Sequence, residues 1–444
     1  MPRKNLIPIL ILIIVSMPVS SGLSNTFEQK NTSTYETPAA HIIKDVPYVG
    51  QETSFFCAYA CFTMLLNNFK NINTSMDDVL YYTGVGYSLI YPNFALECMP
   101  LGGTLLCQSI KDINFLTSLF GLSYELWVPD MNSSSDEKCW QDYQLRVKEN
   151  VSNDIPVMTS VDPFKLSSFR KIVDLPNSLW DLMPPSGHGV VIVGYNNSNG
   201  TICYNDPAAA LFGHSEYGTY AWMNLSEFKE AVNNTKGTRY AIITFKKISE
   251  PLTKEEAFNV SYIRNIEKLR GNISLYGDYI VNLSKDSEFG IFASKLLEND
   301  LEKGLKNRTK TIVIYELRGK LGIKYRLLKN IAPIIAVLFK LPSNAAEKFT
   351  IDEYRRIAIE KNYTAKFLYS NSNISNICRY ESMLFEREST YWNELSSCYS
   401  IFMSKGIFLS LPRALLVVNR MNYSSSKIIE IQDALINFEN KMGD

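Results

Sequence analysis

Four side chains in the first half of the sequence have the residue types needed to attack an acyl group. They are Gln51, Cys57, His188 and Asp206, in that order along the chain. A thiolate is a nucleophile, an imidazole can accept its proton, and an acid beside one ring nitrogen fixes the tautomer. An amide N–H can stabilise the oxyanion that forms on attack. The set therefore predicts nucleophilic catalysis by Cys57.

The segment from Gln51 to Phe69 is expected to position the thiol. From Cys57 onward its apolar residues recur at helical spacing, which predicts an amphipathic helix with one buried stripe. Cys57 lies in the first turn, where unpaired backbone N–H groups and the helix dipole favour an anion. Gln51 precedes the helix and can direct a side-chain N–H toward an oxyanion beside Cys57. The alternative is a buried or disulfide-bonded cysteine with no chemistry.

The histidine and the acid are expected to meet across a β-hairpin. His188 precedes a β-branched run that predicts a buried strand, and Asn196–Gly200 predicts a turn. Thr201–Asn205 predicts the returning strand, which ends at Asp206 because a proline follows. Such a hairpin would bring His188 and Asp206 together near one end of the sheet.

The order of these four residues resembles that of the papain-like cysteine peptidase superfamily. The phrases VPYVGQ, GHGVVIVGY and YNDPA resemble its C39-like branch, over about residues 41–248. The resemblance implies an α+β fold, in which an N-terminal helix packs on an antiparallel sheet, and hydrolysis through an acyl-enzyme. It also implies that Asp206 orients His188 and that Gln51 forms the oxyanion hole. One departure is Ala58, where the C39-like branch usually has glycine after the cysteine.

A second resemblance is to the N-terminal domain of the butirosin-biosynthesis protein H family, which transfers acyl groups from a thioester carrier. It rests on the Cys57 helix, the Gly84-Val-Gly-Tyr stretch, the Ile155–Asp162 segment and the His188 strand. That family has a histidine directly before the cysteine, where this chain has Phe56. Three functions stay open: a cysteine hydrolase (peptidase or amidase), an acyl- or peptidyl-transferase, and a non-catalytic binding glycoprotein. The complete set of four residues favours an enzyme.

The pattern of the chain changes after Pro251, where helical periodicity becomes dominant. Residues 251–444 are therefore expected to form a mostly helical second domain, after the domain of residues 41–248. The only strand pattern in this part covers residues 311–317.

The N-terminus predicts export. Arg3 and Lys4 precede an apolar run, and small residues follow it, so residues 1–22 are expected to be a signal peptide. An uncleaved anchor is the alternative, and residues 23–40 read as a disordered lead-in. Asn-x-Ser/Thr sequons recur along the chain and favour a secreted or cell-surface glycoprotein. Two of them, at Asn196 and Asn199, lie in the predicted hairpin turn, where glycan is expected to flank His188.

Eight cysteines are compatible with an exported protein that contains disulfides. Cys98 with Cys107, and Cys378 with Cys398, are candidate local bridges. Cys61 lies one helical turn beyond Cys57 and is expected to be a buried thiol. It is also the rival nucleophile.

Composition limits the partners. Lys plus Arg and Asp plus Glu number 45 each, so no overall field attracts nucleic acid. No glycine-rich phosphate loop and no His/Cys cluster with metal-ligand spacing occurs in the sequence, so no cofactor is expected. The expected partner is a peptide or another acyl substrate. The membrane is expected to matter only through an N-terminal anchor, and the oligomeric state stays open.

Overall fold

The computed structural model describes most of the chain outside its N-terminus and one long internal stretch. The described residues are 37–91, 100–106, 109–131, 134–173, 187–233, 235, 239–276, 287–303, 350–374, 376–405 and 411–442. The chain divides into two compact units. Unit 1 comprises Met1–Val79 and Asn114–Leu252, and unit 2 comprises Leu80–Ile113 and Thr253–Asp444.

The strands of the described residues are mostly short. In chain order they are β1 (Ala40–Ile42), β2 (Leu89–Tyr91), β3 (Leu101–Gly102), β4 (Leu122–Trp127), β5 (Val157–Val161), β6 (His188–Asn196), β7 (Thr201–Asn205), β8 (Ala221–Asn224), β9 (Ile242–Lys247) and β10 (Glu288–Phe289).

The helices become longer toward the C-terminus. They are α1 (Cys57–Asn67), α2 (Met76–Thr83), α3 (Gly103–Leu106), α4 (Ile110–Leu119), α5 (Asp136–Ser152), α6 (Ser167–Ile172), α7 (Ser215–Gly218), α8 (Leu225–Asn233), α9 (Lys254–Leu269), α10 (Asn376–Lys405) and α11 (Leu411–Met442). Residues 291–303 and 350–370 are also helical, and short 3₁₀ helices cover Pro163–Lys165, Pro207–Phe212 and Ile273–Leu275.

Unit 1 is built on an antiparallel sheet with the strand order β4-β9-β5-β6-β7-β8, and β1 pairs with the far end of β6. The central strand β6 is buried at every residue except Asn196. Its β-branched side chains pack well on a pleated surface that is covered on both faces. The α+β fold class is confirmed.

Helix α1 packs against β6. Every residue from Ala58 to Leu66 is buried, so the helix is enclosed on all sides. The expected amphipathic helix with one buried stripe is therefore wrong, because Tyr59 and Thr63 are buried as well as the apolar stripe. A Cβ on Gly189 would lie 3.3 Å from the Cys61 sulfur, so glycine at this position permits the close approach of α1 to the sheet.

Unit 2 holds the small antiparallel sheet β10-β2-β3 and the long helices. Its core joins residues of β2, of the helical residues 291–303 and 350–370, and of α10 and α11 around the fully buried Trp392. The unit also buries charged side chains. Lys361 lies 2.8 Å from Glu388, and Lys268 lies 2.6 Å from Asp112, all four side chains being almost completely buried.

The two units divide the chain differently from the domain boundaries expected from the sequence. Residues 80–113 lie in unit 2, whereas the sequence places them in the domain of residues 41–248. The last boundary between the two units along the chain, after Leu252, lies beside the expected boundary at Pro251. The signal segment 1–22, the Cys98–Cys107 pair and the strand pattern of residues 311–317 lie outside the described residues. Of the lead-in, residues 37–40 are described, and Ala40 begins β1.

The expected bridge between Cys378 and Cys398 is wrong. Both residues lie on the single helix α10, and at 1.5 Å per residue their Cα atoms are roughly 30 Å apart. A disulfide requires Cα atoms no more than about 7 Å apart. The cysteines that the structure describes are thiols, namely Cys57, Cys61, Cys139, Cys203, Cys378 and Cys398. Within the described ranges, no helix is both long enough and apolar enough to cross a membrane.

Candidate active site

The hairpin β6–β7 brings the histidine and the acid together, as the sequence predicts. His188 is the first residue of β6, and Asp206 follows the last residue of β7. Their side chains are buried, and the distance from Nε2 of His188 to Oδ1 of Asp206 is 2.7 Å. Since Nε2 faces the carboxylate, Nδ1 is the ring nitrogen available to Cys57.

The carboxylate of Asp206 is enclosed by hydrogen-bond donors. Oδ1 also accepts a hydrogen bond from the backbone N–H of Ala208 at 2.9 Å, and Oδ2 accepts one from the hydroxyl of Ser168 at 2.6 Å. Burial alone would raise the pKa of Asp206, but the charge and hydrogen bond of His188, with the Ser168 and Ala208 bonds, lower it. Asp206 is therefore a buried anion.

The backbone of Asp206 is also fixed. Its N–H donates to the carbonyl of Gly218 at 2.8 Å, and its carbonyl accepts the hydroxyl of Tyr48 at 2.9 Å. A Cβ on Gly218 would lie 2.3 Å from that carbonyl oxygen, so no larger residue fits there without a shift. These contacts fix the position of the acid relative to the end of β7.

Cys57 begins α1, as predicted, and the residue is partly exposed. Phe56 at the N-cap provides no side-chain cap, so the N–H groups of the first turn face the thiol region. Burial alone would raise the pKa of Cys57, but the hydrogen bond and charge of His188, with backbone N–H groups of Gly189 and Ala58, lower it below its usual 9.0. Cys57 therefore has a stabilised thiolate.

The imidazole of His188 holds its proton strongly. Burial would lower its pKa, but the charge and hydrogen bond of Asp206, and the contact with Cys57, raise the pKa to about 10. The pKa directions of Cys57 and His188 are therefore opposite. Both shifts favour an ion pair between the Cys57 thiolate and the His188 imidazolium.

Cys61 differs from Cys57 although it lies on the same helix. It is fully buried, and burial together with the nearby Cys57 and Asp206 raises its pKa well above 9.0. The expectation of a buried thiol is confirmed. A protonated, inaccessible thiol is a poor nucleophile, so Cys61 does not compete with Cys57.

Gln51 is buried beside the segment that follows Asp206. Its backbone N–H donates to the carbonyl of Pro207 at 3.0 Å, which connects the approach to α1 with the end of the hairpin. Its side-chain Nε2 donates to the carbonyl of Thr53 at 2.8 Å. An amide nitrogen carries two hydrogens, so this bond fixes the side chain and leaves a second N–H for an oxyanion.

Two positioning contacts escaped sequence reasoning. Ser168 lies in α6, in a segment with no recognisable motif, and Tyr48 lies before α1 in the phrase VPYVGQ; each contacts Asp206. Sequence patterns predict which residues share a strand or a helix face, whereas these contacts depend on how separate segments pack. The resemblance of VPYVGQ to the C39-like branch was the signal that included Tyr48.

The turn with the two sequons lies away from His188. Asn196 ends β6, whereas His188 begins it, so about 26 Å of strand separates them at ~3.3 Å per residue. The expectation that glycan at this turn flanks His188 is therefore wrong. In the hairpin the turn and the open end lie at opposite ends of the two strands.

The described part of the chain contains no group of three or more His, Cys, Asp or Glu side chains placed to hold a metal ion.

Comparison with protein families gives one match. Residues 43–240 match the family described as Peptidase_C39 like family, and this range contains Gln51, Cys57, His188 and Asp206. No curated protein matches the chain.

Proposed function

We propose, since residues 43–240 belong to the C39-like family of papain-like cysteine peptidases, that the chain is a cysteine hydrolase acting on a peptide or another amide. Cys57 is the nucleophile, His188 the general acid and base, and Asp206 the group that orients His188. Gln51 and the backbone N–H of Cys57 form the oxyanion hole. The observation that carries the proposal is the buried pair of His188 and Asp206, 2.7 Å apart, beside Cys57 at the first residue of α1; the pKa directions of Cys57 and His188 support it.

The reaction starts from the thiolate–imidazolium pair. The sulfur of Cys57 attacks the carbonyl carbon, a C–S bond forms, and the carbonyl oxygen becomes an oxyanion near Gln51. As the oxyanion collapses, the C–N bond breaks and the imidazolium of His188 gives its proton to the leaving amine. The products of this half-reaction are an acyl-enzyme and a neutral imidazole.

Deacylation restores the pair. Neutral His188 takes a proton from water, whose oxygen attacks the thioester carbon, and the C–S bond then breaks. The sulfur leaves as a thiolate beside the newly protonated imidazole. Asp206 keeps the ring in one orientation throughout, because Oδ1 holds Nε2 and directs Nδ1 to the sulfur.

The test measures the reactivity of each thiol. The purified protein is treated with iodoacetamide from pH 5 to pH 10, and alkylation of each cysteine is followed by mass spectrometry. We expect fast labelling of Cys57 well below pH 8 and a large decrease in His188→Ala. His214→Ala is the matched control, since His214 is an exposed histidine paired with Glu216. Labelling of Cys57 only above pH 8, or equal rates in the two variants, would contradict the proposal.

A second assay separates hydrolysis from acyl transfer. Acyl-enzyme formed on Cys57 from an activated ester is chased in buffer with and without an added primary amine. Release of the free acid at the same rate in both buffers identifies a hydrolase. Predominant formation of the amide would instead identify a transferase. The Cys57→Ala variant serves as the blank.

We also propose that the chain is exported, on the basis of the N-terminal segment 1–22 and the sequons. Expression of the full chain in a secretory host tests this. We expect protein in the medium with a new N-terminus after about residue 22 and a mass that decreases on treatment with a glycosidase. Retention of the intact N-terminus in the cytosol would contradict it.

A further inference from the structure

We propose that Ser168 is a positioning residue of the active site, which holds the carboxylate of Asp206 in the orientation that His188 requires. The proposal deepens the function above and rests on it. The acid–base chain then runs from Tyr204 through Ser168, Asp206 and His188 to Cys57.

The geometry at Ser168 is that of a short hydrogen bond to an anion. The distance from its Oγ to Oδ2 of Asp206 is 2.6 Å, and both side chains are buried. Bonds of an O–H group to a carboxylate are usually 2.5–2.7 Å long and about twice as strong as neutral ones. Among the described side chains, only Ser168 donates to Oδ2, whereas Oδ1 accepts from both His188 and the backbone of Ala208.

The direction of each hydrogen bond follows from the chemistry of the acceptor. An ionised carboxylate only accepts, so the single proton of Ser168 points to Asp206. The hydroxyl of Tyr204 lies 3.1 Å from Oγ of Ser168 and must then be the donor in that contact. Tyr204 in turn accepts the backbone N–H of Ser168 at 3.3 Å. The hydroxyl of Ser168 is therefore held from both sides and cannot rotate away from Asp206.

Ser168 lies on a segment separate from the hairpin that carries His188 and Asp206, although it also contacts Tyr204 of β7. Ser168 is the second residue of α6, which follows β5 on the other side of β6. Without this bond the carboxylate would keep two donors on Oδ1 and none on Oδ2, and it would be free to tilt about them. A serine in a short helix usually bonds a nearby backbone carbonyl, so the contact with Asp206 is specific to this site.

The expected consequence is a weaker thiolate–imidazolium pair when the hydroxyl is removed. Without the hydroxyl the carboxylate can turn away from Nε2 of His188, which weakens their hydrogen bond, lowers the pKa of His188 and raises that of Cys57. In Ser168→Ala we expect alkylation of Cys57 at pH 6 to slow by roughly three- to tenfold, in line with the net free energy of a typical hydrogen bond. At pH 10 the rates of the variant and the parent should converge, because the thiol is ionised in both.

Ser167→Ala is the matched control. Its hydroxyl contacts Tyr204 at 3.2 Å and the carbonyl of Trp222, but no contact with Asp206 is recorded. We expect its pH profile of alkylation to follow that of the parent. Ser168→Cys keeps the size of the side chain with a weaker donor, so its rate at pH 6 should lie between those of Ser168→Ala and the parent.

The outcomes separate this inference from the proposed function. Slow labelling of Cys57 in the parent at pH 6 would overturn both. Fast labelling in the parent, slowed by His188→Ala but unchanged by Ser168→Ala, would overturn only the role of Ser168. An equal decrease at pH 6 and pH 10 would also overturn it, because a purely structural defect does not depend on thiol ionisation. If Ser168→Ala fails to fold, the profile of Ser168→Cys decides between these outcomes.

Discussion

Buried charge is arranged differently in the two units. In unit 1 the buried pair of Asp206 and His188 lies beside Cys57, a partly exposed residue. In unit 2 the buried charges end on one another, as in Lys361 with Glu388. Both arrangements satisfy the requirement that a buried charge be paired. Only the arrangement in unit 1 includes a partly exposed residue, Cys57.

The surroundings of each pair explain the difference. Glu388 accepts hydrogen bonds from the amide of Gln432 at 2.7 Å and from the indole of Trp392 at 3.3 Å, so the Lys361 pair is closed by further protein groups. The Cys57 thiolate is stabilised by His188 and backbone N–H groups.

The largest effect is expected from breaking the closed pair in unit 2. Lys361→Met leaves Glu388 buried without a cation, and we expect the free energy of unfolding to fall by about 3–5 kcal/mol. Chemical denaturation measures it. The double variant Lys361→Met/Glu388→Gln should recover much of the loss, because no uncompensated charge remains. A loss below about 1 kcal/mol, which is typical of exposed pairs, would show that Lys361 does not stabilise the buried charge of Glu388.

A smaller effect, on reactivity, is expected from the acid of unit 1. Asp206→Asn removes the charge opposite His188 and keeps the size of the side chain. The pKa of His188 should fall and that of Cys57 should rise, so alkylation at pH 6 should slow about 10- to 100-fold. Asp154→Asn is the matched control, since Asp154 is an exposed aspartate 2.9 Å from His41. Equal labelling rates in the two variants would exclude a charge effect at Cys57.

The pH dependence of stability provides the third prediction. Above the lowered pKa of Cys57, the folded protein holds one proton on the Cys57–His188 pair, and His188 keeps that proton up to about pH 10. The unfolded chain also holds one proton between pH 6.5 and 9.0, on the thiol. Equal proton numbers make the contribution of the pair to stability constant in this window.

Cys57→Ala should remove this equality between the proton numbers of the folded and unfolded states. In the variant Asp206 still raises the pKa of His188, although the contribution of Cys57 is lost, so this stabilisation is complete below pH 6.5 and is lost as pH rises through the folded pKa. Relative to the parent, the variant should therefore lose up to about 1.4 kcal/mol of stability per pH unit above pH 6.5. Urea denaturation of both proteins at pH 7, 8 and 9 measures the difference. Parallel stability curves would show that the two groups do not form an ion pair.

The smallest effect is expected at the surface of unit 1. Lys246 lies 2.6 Å from Glu125 on neighbouring strands, and both side chains are about half exposed. Lys246→Met should change the free energy of unfolding by less than about 1 kcal/mol, since water and salt screen such pairs. Comparison with Lys361→Met tests whether the loss in the free energy of unfolding depends on burial of the ion pair or only on the presence of a pair. Similar losses in the two variants would contradict the contrast drawn here.

Local patterns predicted the parts of the site that lie within one element. The β-branched run after His188 and the turn before Thr201 specify a hairpin, and a hairpin fixes which ends of its strands meet. The helical spacing after Cys57 likewise placed the thiol at the first residue of α1. These predictions succeeded because the periodicity of a strand or a helix depends on neighbouring residues alone.

The failures concern contacts between distant segments. Ser168 contacts Asp206 only because α6 packs beside the end of β7, and no pattern in residues 163–172 predicts this contact. The complete burial of α1 depends on what surrounds it, so its polar Thr63 gave a false indication of an exposed face. A disulfide between Cys378 and Cys398 was expected because the two residues are close in the sequence. One continuous helix holds them far apart in space.

The order of the chain gives the β6–β7 hairpin a consequence for folding kinetics. His188 and Asp206 are joined by a local hairpin, and such hairpins form in about 1–10 μs. Cys57 reaches them only when α1 docks on β6 from a distant part of the chain, and such long-range contacts form more slowly. Alkylation of Cys57 during refolding would therefore follow the docking of α1, whereas formation of the hairpin alone would leave the thiol slow to react.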